Sequence, residues 1–120
     1  MMLKTILLVD DDAFLRKTIR LHLEEQGVSV REAADGDEAI AQVQREKPDL
    51  ILLAILMPKR DGYAVLNFLR EHACDVPVVM LSHLSDVLNR ETCLKFGAKD
   101  YFIKSDLDEE ELWPRIQKYL

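Results

Sequence analysis

Three aspartates in a row, Asp10-Asp11-Asp12, follow directly on the apolar run Ile6-Leu7-Leu8-Val9. Neighbouring carboxylates offer hard oxygen ligands of the kind Mg2+ takes, with water and phosphate oxygens completing its shell. Ser82 and Lys104 each close a later apolar run. A hydroxyl and an ammonium arriving from separate segments can hold phosphate oxygens. Together these residues describe phosphoryl chemistry. Taken singly, each has a plainer use: an aspartate after a strand caps the next helix, and a lone lysine is solvated. Their order at the ends of successive apolar runs gives the set its meaning.

The elements that must position them alternate along the chain. Ile6-Leu7-Leu8-Val9 is bounded by charge and suits a strand buried on both faces. Phe14, Leu15, Thr18, Ile19 and Leu23 then recur at helical spacing, with Asp11 or Asp12 as cap and Gly27 as terminator. Val28 to Ala33 alternates apolar and polar, as expected of a strand nearer a sheet edge. Asp35-Gly36 opens a second helix on Ala39, Ile40 and Val43, which Pro48 stops. Leu50 to Leu56 is the most apolar segment and reads as a central strand. Asp61-Gly62 opens a helix on Val65, Phe68 and Leu69, and Val76 to Leu81 is a fourth strand. A fourth helix is expected from about Ser85 to Phe96, closed by Gly97. Tyr101-Phe102-Ile103 makes a fifth strand, and a fifth helix with an acidic first turn lies within Asp106 to Leu120. Pro114 conflicts with that helix, since its ring meets the carbonyl of Glu110. A kink, or a start later than the acidic residues, is expected there.

Strands alternating with helices predict an α/β fold with an open parallel sheet covered on both faces. In such sheets ligands bind at the carboxyl ends of the strands, where Asp10, Ala54, Ser82 and Lys104 fall. The 120 residues suit one domain, 1–120, and a net charge of −6 disfavours direct nucleic-acid binding through the overall field. A hydrophobic content of 48% is too high for a disordered chain. No apolar stretch approaches the ~20 residues that span a bilayer, and no signal peptide is legible, so a cytoplasmic domain away from membranes is expected. The two cysteines, Cys74 and Cys93, lack metal spacing and suit free thiols.

Five segments carry a family resemblance: Leu7-Leu8-Val9-Asp10-Asp11-Asp12, Pro48-Asp49-Leu50-Ile51-Leu52-Leu53, Met57-Pro58-Lys59-Arg60-Asp61-Gly62, Val78-Val79-Met80-Leu81-Ser82, and Gly97-Ala98-Lys99-Asp100-Tyr101-Phe102-Ile103-Lys104. Over essentially its whole length the chain resembles a bacterial two-component response-regulator receiver domain. The resemblance implies a flavodoxin-like, doubly wound five-stranded parallel sheet with five helices in a three-layer sandwich. It also implies a phosphorelay role, receiving a phosphoryl group from a sensor histidine kinase or phosphotransfer protein. By the same resemblance Asp10, Asp11 and the backbone carbonyl of Leu56 would bind Mg2+. Ser82 and Lys104 would contact the phosphoryl group, and Ser82 and Tyr101 would form the switch. A second copy or an output partner would bind through the fourth helix, fifth strand and fifth helix.

The departure from the family is Ala54. The resemblance puts the phosphate-accepting aspartate at that place, shortly before Met57-Pro58. On residue type alone Ala54 is a small side chain finishing a buried strand. Two accounts follow. Ala54 is natural, giving a pseudo-receiver that acts as a phosphate-independent interaction module, or an acceptor aspartate has been replaced by engineering. The otherwise intact motif set favours replacement. Loss of the carboxylate is expected to weaken Mg2+ binding and to leave the metal-free fold equally or slightly more stable. Without the phosphoryl group Tyr101 is expected to point outward.

Other residues carry smaller expectations. Ser105 stands where the family has proline after a cis bond, and a trans Lys104–Ser105 bond is expected. His83 either shields the phosphate pocket or faces solvent. His22 and His72 suit part-exposed helix positions and make no metal site, and Cys93 suits packing as a small apolar residue. The run Asp108-Glu109-Glu110-Glu111 reads as a solvated helix start. Asp10-x-Asp12, Ser82 and Lys104 are also similar to the series used by haloacid-dehalogenase-type phosphatases, with Asp10 as nucleophile. The later acidic strand and cap domain of those enzymes are not legible, so a non-enzyme is expected.

Overall fold

In the computed structural model, which describes residues 3–83, 87–106 and 108–120, the apolar runs pair side by side. Strand β1 (Thr5–Val9) lies between β2 (Ser29–Ala33) and β3 (Leu50–Ala54), followed by β4 (Val78–Ser82) and β5 (Asp100–Ile103). The sheet order is β2-β1-β3-β4-β5, and each neighbouring pair is parallel. Helices α1 (Ala13–Glu25), α2 (Gly36–Arg45), α3 (Gly62–Glu71), α4 (Val87–Lys95) and α5 (Glu109–Ile116) make the connections. The result is the parallel, three-layer sandwich that the alternation predicts, and the flavodoxin-like fold that the resemblance implies.

The strands read as unbroken apolar runs because both faces of the sheet are covered. Side chains alternate between faces, so each strand feeds two cores. Leu7, Val9, Ile51, Leu53, Val78, Met80 and Tyr101 pack with Ala39, Ile40, Val65, Leu66 and Leu69, the residues that α2 and α3 turn inward. Ile6, Leu8, Leu50, Leu52, Val79, Leu81 and Phe102 pack on the other face with Ile19 and Leu23 of α1 and Leu112 and Ile116 of α5. Burying one such side chain stabilises the fold by about 1.5–3 kcal/mol.

Aspartates start three of the helices. Asp12, Asp35 and Asp61 accept from the backbone N–H groups of Leu15, Glu38 and Ala64 at 3.1, 2.8 and 2.9 Å. Each satisfies a donor that the first helical turn leaves unpaired. Of the two candidate caps for α1, Asp12 takes the role and Asp11 is left exposed. Gly27 and Gly97 follow α1 and α4 with φ of +90° and +106°, a region where a side chain would clash with its own backbone.

Several expectations shift. Phe14 does not join the apolar face of α1; it is 79% exposed, standing on the helix's first turn and directed away from Ile19 and Leu23. Strand β3 ends at Ala54 rather than Leu56, because the chain turns there: the Gly62 N–H donates to the Ile55 carbonyl at 2.7 Å. Strand β4 begins at Val78, since Pro77 has no N–H for the ladder, although its carbonyl accepts from the Ile51 N–H at 3.0 Å. The described part of α4 starts at Val87, and the expected start at Ser85 lies outside the described residues. Helix α5 begins inside the acidic run, at Glu109, and contains Pro114. The chain then tightens into a 3-10 turn over Gln117–Tyr119. The described backbone contains no cis peptide bond, so Lys104–Ser105 is trans.

Candidate functional site

Four strands deliver the sequence-predicted residues to one end of the sheet. Asp10 and Asp11 continue from β1, Ala54 ends β3, Ser82 ends β4, and Lys104 follows β5. Together with Asp12, Leu56 and His83 they line a single cavity of about 360 Å³. Parallel strands bring this about because all their carboxyl ends point the same way, while the helices diverge to either face.

Asp10 is the centre of the polar network. Its side chain is 1% exposed. One carboxylate oxygen accepts from the Asp12 N–H at 2.9 Å, and the other forms a close ion pair with the Lys104 ammonium. The Asp10 N–H donates to the Ala33 carbonyl at 3.1 Å. A buried carboxylate requires such partners, because removal from water without them costs several kcal/mol. Asp11 is exposed at the mouth, and Asp12 is occupied by capping α1.

Ala54 is 2% exposed and Ser82 3% exposed, so both belong to the floor of the cavity. The Ala54 carbonyl is crowded by α3: a side chain at Gly62 would bring its Cβ to 2.3 Å from that oxygen. This close approach is why a glycine opens α3. Leu56 lies in the loop between β3 and α3, its side chain exposed, and its residue lines the cavity. His83 lines the cavity and is exposed to solvent.

Tyr101 is not brought to the cavity, and it does not point outward as expected. It is 2% exposed and packs in the core on the α2–α3 face of the sheet. The cause is register: Tyr101 pairs with Met80 and shares its face, while Phe102 pairs with Leu81 and takes the opposite one. Nearby, the Tyr63 hydroxyl donates to Asn89 in a close hydrogen bond that ties α3 to α4. Burial, reinforced by the Cys93 thiol, pushes the Tyr63 hydroxyl up to about 12. Burial likewise raises the Cys93 thiol, with Tyr63 pulling the other way. Cys93 is fully buried, as its apolar packing role requires, and both cysteines are free thiols.

Sequence reasoning missed a pair behind the site. Arg16 of α1 donates to the Asp10 carbonyl at 2.6 Å and pairs with Glu32 of β2 at 3.0 Å. In the sequence these are only a polar helix position and one polar residue of an alternating strand, and nothing local links them.

The donor chemistry fits a hard divalent cation. Three carboxylates, of which Asp12 is engaged in capping α1, and the Leu56 residue with its backbone carbonyl line one cavity, and an ammonium already sits on the inner carboxylate. Among the described residues no group of three or more His, Cys, Asp or Glu side chains could hold a metal. Mg2+ takes one or two carboxylates and keeps several waters, a demand that Asp10 and Asp11 can meet. Among the described residues no helix is long and apolar enough to cross a membrane.

Comparison with known proteins points the same way. The sequence profile described as "Response regulator receiver domain" matches residues 6–117. The "Probable transcriptional regulator ycf27" of Porphyridium aerugineum is 44% identical over 115 residues, covering 96% of this chain and 47% of that protein. The chain thus spans about half the length of the curated relatives it matches. The receiver domain of the Francisella response regulator 1452 superposes with a TM-score of 0.91 at 32% identity, covering 97% of this chain and 95% of that one. A chain of the CheX–CheY–BeF3–Mg2+ complex from Borrelia burgdorferi superposes at 0.89 with 30% identity, covering 98% and 90%.

Proposed function

The chain belongs to the response-regulator receiver family, and from that premise we propose that it is a two-component receiver domain, spanning residues 1–120, whose phosphoryl transfer is blocked at Ala54. The observation that carries this reading is the position of Ala54. A methyl group lies on the floor of a cavity that otherwise gathers three carboxylates, a hydroxyl and an ammonium. A methyl has no lone pair with which to attack phosphorus, so covalent transfer needs an acceptor that this strand end lacks.

The remaining residues keep recognisable tasks. Asp10, Asp11 and the Leu56 carbonyl would hold Mg2+, which when bound neutralises charge on phosphoryl oxygens. Ser82 and Lys104 would contact those oxygens from β4 and β5, with Lys104 leaving Asp10 to do so. Ser82 and Tyr101 would couple the site to the surface formed by α4, β5 and α5, where a second copy or an output partner docks. A sensor histidine kinase or phosphotransfer protein is the expected donor, in the cytoplasm. Asp12, the second acid of the phosphatase-like series, is taken up by capping α1, and we read the domain as a non-enzyme that binds no nucleic acid itself.

Two origins of Ala54 give different biology. The complete set of neighbours supports an acceptor aspartate replaced by engineering, and the codon at position 54 of the natural gene decides it. The inward Tyr101 supports the alternative, a natural pseudo-receiver that binds partners independently of phosphate. The test of function is phosphodonor treatment of the chain and of Ala54→Asp, read by intact mass. Acceptance by Ala54→Asp alone is expected. No acceptance by either would remove the disabled-receiver reading and leave the interaction module.

A further inference from the structure

A second cation reaches the acidic turn from behind the cavity. Arg16, one turn into α1, donates from Nη1 to the Asp10 carbonyl at 2.6 Å, and its Nε lies 3.0 Å from Glu32 Oε1. The other Glu32 oxygen lies 3.0 Å from Arg20 Nη1. One carboxylate on edge strand β2 therefore aims two guanidiniums of α1. The same strand, through the Ala33 carbonyl, takes the Asp10 N–H at 3.1 Å. Asp10 is thus held on both sides of its backbone by β2, directly at the N–H and through Arg16 at the carbonyl.

That carbonyl belongs to the planar peptide unit joining Asp10 to Asp11, so pinning its oxygen fixes the direction in which the chain leaves Asp10. We propose that Arg16, oriented by Glu32, is a positioning residue for divalent-cation binding, setting the angle between the Asp10 and Asp11 carboxylates. The proposal rests on the reading of those two aspartates as metal ligands. Groups that orient ligands without touching the metal commonly change affinity by roughly 10–100-fold when removed.

Charge and geometry predict opposite signs, which makes the inference testable. By charge alone, a guanidinium beside Asp10 repels a second cation, and its removal strengthens Mg2+ binding. By geometry, its removal weakens binding. Mg2+ titrations followed by backbone amide shifts would compare the chain with Arg16→Gln, Arg16→Lys and Arg20→Gln, together with hydrogen exchange of the metal-free proteins. We expect Arg16→Gln to bind Mg2+ roughly tenfold more weakly. Arg16→Lys, which keeps the charge but cannot bridge both acceptors, is expected to follow it, and Arg20→Gln to bind no more weakly than the parent. The Asp12 amide, held by the Asp10 carboxylate, is expected to exchange faster in both Arg16 variants, while core amides of Leu52 and Val79 keep their rates. Unchanged or tighter Mg2+ binding in Arg16→Gln, with parental exchange at Asp12, overturns the inference. If the parent binds no Mg2+, the ligand reading of Asp10 and Asp11 falls and the inference with it, whereas parental binding that is unchanged in Arg16→Gln overturns the inference alone.

Discussion

Lys104 sets its ammonium against the carboxylate of Asp10, 94 positions earlier in the chain, and the pair bridges over the ends of β3 and β4. Both partners are largely buried, with side chains 12% and 1% exposed. Lys104 thereby supplies the positive charge that balances Asp10 inside the cavity.

Removing that ammonium leaves a buried carboxylate without its counter-charge. Lys104→Met is expected to cost the metal-free protein about 3 kcal/mol in urea unfolding. Mg2+ is expected to restore more stability to the variant than it adds to the parent, because the ammonium no longer competes. An unfolding midpoint equal to the parent's would show that the pair contributes nothing.

Restoring a carboxylate has the opposite balance. Ala54→Asp places a further acid in the cavity beside Asp10, Asp11 and Asp12, and like charges repel. The metal-free variant is expected to be less stable by about 1 kcal/mol, with tighter Mg2+ binding and a larger Mg2+-induced rise in melting temperature. Calorimetric titration showing equal affinity in both forms would contradict it.

Packing of α3 against the end of β3 is unforgiving at one glycine. A Cβ at Gly62 would lie 2.3 Å from the Ala54 carbonyl oxygen and 2.9 Å from the Ile55 Cα. Both neighbours are backbone and cannot swing aside, so Gly62→Ala is expected to lower stability by about 1–3 kcal/mol or more. Thermal unfolding of the variant within a degree or so of the parent would refute the close approach.

Two apolar residues of similar sequence appeal should behave very differently. Leu52 is fully buried in the central strand, and Leu52→Ala is expected to cost about 2–5 kcal/mol. Phe14 is 79% exposed, and Phe14→Ser is expected to change stability by no more than about 0.5 kcal/mol. Chemical denaturation of the two variants side by side checks the contrast.

Alkaline pH should expose the tie between α3 and α4. The Tyr63 hydroxyl is raised from 10.0 to about 12 in the folded protein. The unfolded chain therefore releases this proton first, so the contribution is complete below pH 10 and lost as pH rises towards 12. Tyr119 is raised as well and adds to the same trend. Tyr63→Phe is expected to flatten the fall in stability over that window, and a profile as steep as the parent's would rule the effect out.

Much of the architecture was legible because its causes are local. Side-chain alternation in a strand and the 3.6-residue turn of a helix are properties of the backbone, so the runs at Ile6–Val9 and Leu50–Ala54 declared themselves. Asp35 and Asp61 declared the helix starts in the same way, through a side chain reaching three residues along its own chain. Phe14 misled because it meets Thr18 one turn on while standing, at 3.6 residues per turn, on the side of α1 opposite Leu23.

The sequence by itself determined the order of strands and helices, the residues at the strand ends and the presence of a methyl at position 54. Tertiary structure alone decided that Lys104 rests on Asp10, that Glu32 steers Arg16 onto the Asp10 carbonyl, and that Tyr101 turns inward. Each of these depends on which strands become neighbours and in what register. That choice is made by the packing of whole helices across the sheet, between residues too far apart in the chain for any local pattern to record.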